Sequence, residues 1–328
     1  MSKRHLVLGL SAIFGAMTLG PATAQNANGP FVQNKASLAE TAAADALIAK
    51  DPANLGDIGL LCRPLKEIMT AGLAIKTPPA SRAFDNLYYV GLGGVGAWAI
   101  KTSDGVIVID ALDNATEAQT YIEGGLRSVG LDPAQIKYVI VSHGHTDHFG
   151  GAKYLQDKFH ARVLMSPADW ALMAAAPKLM NGQTPEKPAH DMDVRDGQTL
   201  TLGDTTLTLY ITPGHSPGTV SAIIPVRDGG KARVISFWGG TAFAANTALL
   251  PQYQASVERF APIAKAAGVV GVISNHPVFD NSVTKLGEIA AHPGAPNPFV
   301  MGPRGAARYY EVLDHCLKAQ IDRQLPPA

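Results

Sequence analysis

Four metal-type side chains occupy six consecutive positions of this chain, in the run His143-Gly-His145-Thr-Asp147-His148. They follow the apolar, β-type run Ile136-Lys-Tyr-Val-Ile-Val-Ser142, which predicts a strand that ends at the cluster. His143 and His145 are two positions apart, so in an extended segment both rings leave the same face and can reach one ion. Asp147 and His148 point elsewhere and suit a second ion beside the first. The alternative, a polar surface turn, explains such a dense group of metal-type side chains poorly.

The donor set indicates which metal would bind. Imidazoles with a carboxylate and without thiolates are typical ligands of Zn²⁺, and other divalent metals are the alternative. Two further histidines also follow β-type runs, His215 in Thr212-Pro-Gly-His-Ser-Pro-Gly218 and His276 in Ile273-Ser-Asn-His-Pro277. The sequence therefore offers candidate ligands at several strand ends.

The chain begins like a secretory signal. Ser2-Lys3-Arg4 is a short basic region, Leu6 to Leu19 is apolar, and Ala22-Thr23-Ala24 offers small residues for cleavage. A membrane-spanning helix is the alternative, but the apolar stretch is short and contains glycines. We expect residues 1–24 to be removed, which predicts a periplasmic protein that has no membrane attachment after cleavage.

The charge balance argues against polyanionic partners. Residues 1–24 hold two basic charges, which leaves 25 Lys and Arg against 27 Asp and Glu, a net charge of −2. The chain has no basic run or basic helix face, so nucleic acid and anionic lipid are poor partner candidates. We expect a small-molecule substrate and a monomeric protein.

The pattern along the chain predicts a lead-in segment, residues 25–85, packed on one domain, residues 86–328. The lead-in has an Ala-rich helical stretch, Leu38 to Lys50, and then a turn-rich segment with several prolines. Beyond it, β-type runs are followed by helical segments twice, without a low-complexity linker or a fixed-period repeat. This order predicts two βα halves packed together in one domain.

The two cysteines, Cys62 and Cys316, lie far from the histidine cluster in sequence, so we do not expect them to bind metal. In an oxidising compartment they can form one disulfide that ties the N-terminal segment to the C-terminal helix. The sequence leaves a disulfide and two free thiols as alternatives, because it does not give the separation of the cysteines in space.

The histidine run, together with the two later histidines, resembles the metallo-β-lactamase superfamily over about residues 86–320. Within that superfamily the chain is most similar to the subclass B3 enzymes. The similar segments are Leu87-Tyr-Tyr-Val-Gly-Leu-Gly-Gly-Val95, Val106-Ile-Val-Ile-Asp110, Ser142 and Asn275-His276-Pro277. The resemblance implies an α/β fold, a four-layer αββα sandwich in a single domain.

The same resemblance implies two zinc ions per chain. Its implied ligands are, for the first ion, His143, His145 and His215, and for the second ion, Asp147, His148 and His276. A hydroxide would bridge the ions, its pKa lowered by their charge, and Asp147 would act as a catalytic residue by accepting its hydrogen bond. The implied reaction is hydrolysis of the β-lactam amide bond, and the implied biological role is antibiotic resistance.

Two departures from the family pattern concern the substrate. Enzymes of the glyoxalase II type and many lactonases place a bridging aspartate where this chain has Gly239 and Gly240, which favours the β-lactamase type of site. Some subclass B3 enzymes have two serines near Thr241 and Phe243 that help to hold the substrate carboxylate. Thr241 can replace the first serine. Phe243 cannot replace the second, and it is expected either to line the substrate site or to pack in the core.

Asp110 ends a β-type run close to the metal loop. It is expected either to accept a hydrogen bond from a ligand imidazole or to cap its strand. Two alternatives to β-lactam hydrolysis are also open. The first is a lactonase or esterase that uses the same site, and the second is a periplasmic protein that binds zinc with little turnover. The complete set of six candidate ligands disfavours the second alternative.

Overall fold

The computed structural model describes residues 32–178, 184–243 and 247–324, so the predicted leader lies outside the described residues. Within those ranges, no helix combines the length and the apolar character needed to cross a membrane. The helices are α1 (Lys35–Ile48), α2 (Pro52–Leu55), α3 (Leu65–Ala74), α4 (Ala115–Glu117), α5 (Gly124–Ser128), α6 (Thr146–Phe149), α7 (Ala152–Phe159), α8 (Pro167–Ala174), α9 (Leu250–Ala266), α10 (Ser282–Ala291) and α11 (Gly302–Asp322). A π-helical stretch, Ala118–Glu123, joins α4 to α5.

The strands of the described residues form two sheets, one of seven strands and one of five. The first sheet contains β1 (Ser81–Phe84), β2 (Leu87–Tyr89), β3 (Trp98–Thr102), β4 (Gly105–Ile109), β5 (Ile136–Ile140), β6 (Arg162–Met165) and β7 (Met192–Asp193), in chain order. The second contains β8 (Gln198–Leu202), β9 (Thr205–Ile211), β10 (Val220–Asp228), β11 (Lys231–Trp238) and β12 (Val272–Ser274). Its spatial order is β12-β11-β10-β9-β8.

Each sheet buries both of its faces. Ile107 of β4 and Leu207 of β9 lie in the same buried cluster, between the sheets. The next residue, Val108, points to the other face of its sheet, where it packs in a cluster with Leu126 of α5. Such alternation follows from the two-residue period of a strand. With Phe260 of α9 in the cluster outside the second sheet, the layers are helix, sheet, sheet and helix, and the predicted αββα sandwich is confirmed.

The strand directions bring several loops to one edge of the sandwich. In the first sheet, β4, β5 and β6 are parallel, so the loops after β4 and β5 leave from the same edge. In the second sheet, β11 is parallel to β12, and β9 shares their direction because both β9 and β11 are antiparallel to β10. The histidine run follows β5, and the two later histidines follow β9 and β12.

The lead-in differs from its prediction in two places. The first sheet begins inside it, since Arg82 of β1 pairs with Tyr88 of β2. The segment predicted to be turn-rich contains α3, because the residues between Pro64 and Pro78 form a helix of mostly good helix formers. The start of α1 contacts the end of the chain, where Asn34 Nδ2 donates to the carbonyl of Asp322 over 2.7 Å.

Cys62 and Cys316 form a disulfide, with their Cα atoms 4.5 Å apart. This bond joins the segment that follows α2 to α11, and it settles the alternative that the sequence left open. Both cysteines are fully buried in the cluster outside the second sheet.

Candidate metal centre

The six candidate ligands lie at the edge of the sandwich where the strand ends meet. Their ligand atoms form two groups, each with its atoms within 4.8 Å of one another. The first group is His143, His145 and His215, and the second group is Asp147, His148 and His276. These are the two sets that the resemblance implied. Each group takes residues from the loop after β5 and one histidine from the second sheet, so both groups connect the two sheets.

The first group brings ring nitrogens together at short distances. His215 Nε2 lies 3.1 Å from His143 Nε2 and 3.0 Å from His145 Nδ1. The Nδ1 atoms of His143 and His215 face the carbonyl oxygens of Gly239 (3.1 Å) and Ala242 (2.7 Å), so each must carry the proton that it donates. In the neutral rings, the two Nε2 atoms then point lone pairs at each other. A cation between them converts this repulsion into coordination, so the residues fit a bound metal.

The second group has the same organisation around a carboxylate. Asp147 Oδ2 lies 3.2 Å from His148 Nε2 and 3.8 Å from His276 Nε2. The other ring nitrogens are occupied, since His148 Nδ1 lies 2.9 Å from Asp110 Oδ2 and His276 Nδ1 donates to the Gly94 carbonyl over 2.9 Å. These contacts hold both rings with Nε2 directed at the carboxylate. The group thus offers two nitrogens and an anionic oxygen to a second ion.

The electrostatics favour neutral imidazoles in the first group. Burial and the neighbouring imidazoles lower the pKa values of His143 and His215 well below their usual range. Burial lowers the pKa of His145 to about 4, against the opposing effect of Asp147. Burial and the nearby His148 also lower the pKa of His276. Neutral imidazole is the form that binds metal, so these rings need lose no proton when an ion enters at neutral pH.

His148 and Asp147 form a charged pair in the absence of metal. Burial lowers the pKa of His148, but the carboxylates of Asp147 and Asp110 outweigh this effect and raise the pKa to about 10. Burial raises the pKa of Asp147, but the nearby His148, His276 and His145 outweigh burial and lower it. A divalent cation at this group would therefore replace the proton on His148 Nε2.

Asp110 lies at the end of β4 and links the strand to the metal loop. Its Oδ1 accepts from the backbone N–H of Ser142 over 2.7 Å, and its Oδ2 contacts His148 Nδ1. The residue is fully buried and has a φ of 62°, a left-handed conformation that aspartate tolerates better than most residues. Of the two alternatives that the sequence left open for Asp110, the structure shows the contact with a candidate ligand imidazole.

The position after β11 has no space for a carboxylate. A Cβ atom on Gly240 would lie 2.6 Å from the Cβ of His215, so a side chain there would displace that ring. The carbonyl of Gly239 accepts hydrogen bonds from His143 Nδ1 and from Asn275 Nδ2, at 3.1 and 2.6 Å. In this chain the segment orients a ligand imidazole through its backbone.

Thr241 lies where β11 and β12 end beside the ligand loops. Its side chain is fully buried, and its hydroxyl lies 2.6 Å from the Oγ of Ser274. The substrate contact of this residue stays a prediction. Phe243 is half-buried, with its ring 5.6 Å from that of Tyr253 in an edge-to-face contact. This placement supports core packing, and a substrate contact through its exposed part stays a prediction.

Sequence reasoning missed one buried acid near the ligands. Asp169 of α8 is fully buried and contacts both the histidine run and the segment after His215. The run Ser166-Pro-Ala-Asp169 is a recognisable helix start, since Ser166 caps the helix by accepting from the backbone N–H of Asp169 over 3.2 Å. That signal predicts α8, although it does not predict what α8 contacts.

The comparisons with known proteins agree with this geometry. The family model of the metallo-β-lactamase superfamily matches residues 90–228. BJP-1, a subclass B3 metallo-β-lactamase of Bradyrhizobium japonicum, has a similar structure, with a TM-score of 0.63, 27% identity and coverage of 76% of this chain and 96% of that one. The resemblance of the chain to the metallo-β-lactamase superfamily is therefore confirmed. The solved structural neighbours of the chain are mostly subclass B3 enzymes, the subclass that the sequence most resembles.

Two other comparisons add to this picture. Native FEZ-1 metallo-β-lactamase from Legionella gormanii shares the fold, with a TM-score of 0.65, 22% identity and coverage of 76% of this chain and 98% of that one. The probable metallo-hydrolase YybB of Bacillus subtilis (strain 168) is 28% identical over 133 residues, 38% of this chain and 54% of that protein.

The N-acyl homoserine lactonase AttM of Rhizobium radiobacter is 30% identical over 105 residues, which are 30% of this chain and 40% of that protein. The chain thus spans about half of the length of the curated relatives that it matches.

Proposed function

We propose that this protein is a zinc-dependent hydrolase that opens the β-lactam amide bond with two zinc ions per chain. The main support is the convergence of His143 Nε2, His145 Nδ1 and His215 Nε2 at about 3 Å beside a second group with a carboxylate. Imidazole nitrogens with one carboxylate, and no thiolate, match the ligands that zinc takes in catalytic sites. Each group has three protein ligands, so an ion bound there keeps a position for water or substrate.

When bound, zinc would supply Lewis-acid polarisation of the substrate carbonyl and would acidify a water molecule. Residues of the chain would hold and orient the reacting groups. Asp147 directs Oδ2 towards His148, which leaves lone pairs of its carboxylate to accept a hydrogen bond from the attacking water. Water adds to the carbonyl carbon, the C–N bond of the ring breaks, and the nitrogen takes up a proton. As a catalytic residue, Asp147 therefore positions the water molecule that attacks the carbonyl carbon.

Rigid contacts support the catalytic geometry. The backbone carbonyls of Gly239, Ala242 and Gly94 each bind the Nδ1–H of one imidazole. Such contacts fix the tautomer and orientation of a ligand before metal and substrate arrive, which reduces the reorganisation needed for catalysis.

Two observations favour a β-lactam over a lactone as substrate. The structural similarity to BJP-1, a subclass B3 metallo-β-lactamase, covers 96% of that enzyme. The Gly240 backbone also excludes a carboxylate of the kind that many lactonases use after this strand. Lactone hydrolysis is the second candidate, supported by the 30% identity to that lactonase.

We also propose export to the periplasm, where hydrolysis of β-lactams would confer antibiotic resistance. The disulfide between Cys62 and Cys316 supports an oxidising compartment. The leader-like composition of residues 1–24 supports the same route.

The test is a substrate screen with the purified zinc-loaded protein. A penicillin, a cephalosporin, a carbapenem, an N-acyl homoserine lactone and a simple lactone are assayed in parallel. Turnover of at least one β-lactam, lost in His276→Ala and kept in His292→Ala, supports the proposal, because His292 is an exposed residue after α10. Turnover of lactones alone replaces the β-lactamase assignment with the lactonase assignment. A zinc-loaded protein without turnover of any of these substrates contradicts both.

A further inference from the structure

The two loops of the first ligand group are joined by a residue that is not a ligand. Asp169, in the first turn of α8, is 0% exposed. Its Oδ2 accepts from the hydroxyl of Ser216 over 2.6 Å and from the backbone N–H of Gly144 over 3.3 Å. Its Oδ1 accepts from the backbone N–H of Gly218 over 3.1 Å. One carboxylate thus holds the loop of His143 and His145 and also the loop of His215.

Two glycines allow the backbone of the two ligand loops to lie close to α8. A Cβ on Gly144 would lie 2.6 Å from the carbonyl oxygen of Asp169, and a Cβ on Gly218 would lie 2.0 Å from Ser166 Oγ. Any side chain at either glycine would push α8 away from the loop. The two glycines therefore let the start of α8 contact both loops, in agreement with the three hydrogen bonds.

The neighbouring hydroxyls complete the link to His215. The Ser216 hydroxyl donates its proton to Asp169, so the Ser216 oxygen can accept a hydrogen bond from the Thr219 hydroxyl, 2.7 Å away. The backbone N–H of Ser216 donates in turn to Thr219 Oγ1 over 3.1 Å. The conformation of the residue next to His215 is thus fixed from both sides, and the position of the His215 ring depends on it.

We propose that Asp169 is a positioning residue that sets the separation of His145 and His215, and so the metal affinity of the first ligand group. The proposal rests on the proposed metal binding at that group. The second group is expected to depend less on Asp169, since Asp147 and His148 share the loop of Gly144 but His276 lies on a loop that Asp169 does not hold. There the buried Asp280 accepts from the backbone N–H groups of Ser274 and Ser282.

Asp169→Asn tests the role with little change of shape. The amide has one acceptor oxygen, so its NH₂ group must face either the Gly144 or the Gly218 N–H. At least one backbone contact is then lost, and the two loops are free to shift relative to each other. By the usual effect of removing a residue that orients metal ligands, we expect the affinity of the first group to fall about 10–100-fold.

The measurement is a titration of the metal-free full-length protein with Co²⁺, followed by its visible absorption. His215→Ala and His276→Ala identify which binding step belongs to each group. We expect Asp169→Asn to weaken the step of the first group selectively and Asp280→Asn to weaken the step of the second. The exposed Asp193→Asn, which alters only a surface contact with His190, is expected to match the wild type.

Circular dichroism checks that each variant folds. If Asp169→Asn does not fold, Ser216→Ala decides, because it removes the hydrogen bonds of the Ser216 hydroxyl with Asp169 and Thr219 and leaves the buried carboxylate with its two backbone donors. Selective weakening of the first step in Ser216→Ala supports the proposal. Wild-type affinity in the folded variants, or equal weakening of both steps, overturns the role of Asp169 while metal binding stands. A wild-type protein that binds no Co²⁺ overturns both this role and the proposed function.

Discussion

The Nε2 atoms of His143 and His215 lie 3.1 Å apart, and the carbonyls of Gly239 and Ala242 hold the protons of both rings on the opposite nitrogens. In the neutral rings, the two lone pairs of the first ligand group therefore face each other. A cation bound between them would remove this repulsion, so metal binding is expected to stabilise the fold.

We expect about two zinc ions per chain after purification in zinc, because the six ligands divide into two groups of three. Removal of the metal should abolish activity and lower the melting temperature, since a ligand that binds only the folded state stabilises it. Elemental analysis and thermal unfolding with and without a chelator measure both effects. Activity that is untouched by chelation, in a protein free of transition metal, would exclude the proposed mechanism.

His276→Ala should weaken the second bound metal more than the first, and His215→Ala should do the reverse. The reason is that each histidine belongs to a single group in the structure. Equilibrium dialysis against zinc, followed by elemental analysis, gives the stoichiometry of each variant. His292→Ala is the matched control, because its side chain is exposed. Equal loss of both metals in both variants would contradict the division into two groups.

Asp110→Asn should lower the metal affinity of the second group about 10–100-fold, with a smaller effect on the first group. The Asp110 carboxylate accepts from Ser142 and contacts His148 Nδ1, and an amide cannot accept at both of its ends. The metal titration that is used for the histidine variants measures the change. Unchanged affinity at the second group would mean that the strand end, and not the carboxylate, orients His148.

Phe243→Ser should destabilise the protein by about 1–3 kcal/mol, because the half-buried ring loses its packing against Tyr253. The KM for a β-lactam should stay the same if the residue only packs in the core. Thermal unfolding and steady-state kinetics separate the two effects. Leu73→Ser, at a position that is 68% exposed, serves as the control for loss of apolar surface. A lower KM in the Phe243 variant, without loss of stability, would instead place this side chain at the substrate.

Glu123→Gln should destabilise the protein at neutral pH by roughly 1–2 kcal/mol. Burial raises the pKa of Glu123, but hydrogen bonds from Lys158, Tyr154 and Arg127 outweigh it and lower the pKa from 4.5 to about 2. The carboxylate therefore contributes stability above about pH 4.5, and this contribution is lost as the pH falls towards 2.

Denaturant unfolding of the wild type and of Glu123→Gln between pH 7 and pH 2 checks this prediction. The difference between the two proteins should shrink as the solution becomes acidic. Asp157→Asn is the control, because its ion pair with Lys153 is exposed to solvent and should contribute little to stability. A difference that stays constant with pH would show that the charge of Glu123 does not stabilise the fold.

Much of the fold could be predicted because local patterns were strong. The apolar run that ends at Ser142 forms β5, and the predicted C-terminal helix is α11. The strand Arg162–Met165 could not be predicted, because a strand of four residues shows too little periodicity.

The candidate site also has a part that could be predicted from the sequence and a part that could not. The candidate metal ligands could be predicted because metal binding requires particular side chains, and four of these rarely occur within six positions. The hydrogen bonds that orient the ligands could not be predicted, since they join residues far apart in sequence. Asp169 and Ser216 are separated by 47 positions, and His276 contacts the carbonyl of Gly94 across 182 positions. A contact made by a backbone carbonyl also cannot be recognised from the sequence, because every residue has a backbone carbonyl.

The disulfide determines what happens to the protein when a protease cleaves the chain once. Cys62 and Cys316 enclose a covalent ring that contains every candidate ligand, with a sequence separation of 254. A protease that cleaves the exposed turn at Gly229 and Gly230 would open this ring without releasing a fragment. The two fragments would stay tethered, and a metal held by the second ligand group would also join them, because His276 lies on the C-terminal fragment. A nicked molecule would therefore keep its site assembled until a reductant breaks the sulfur bridge.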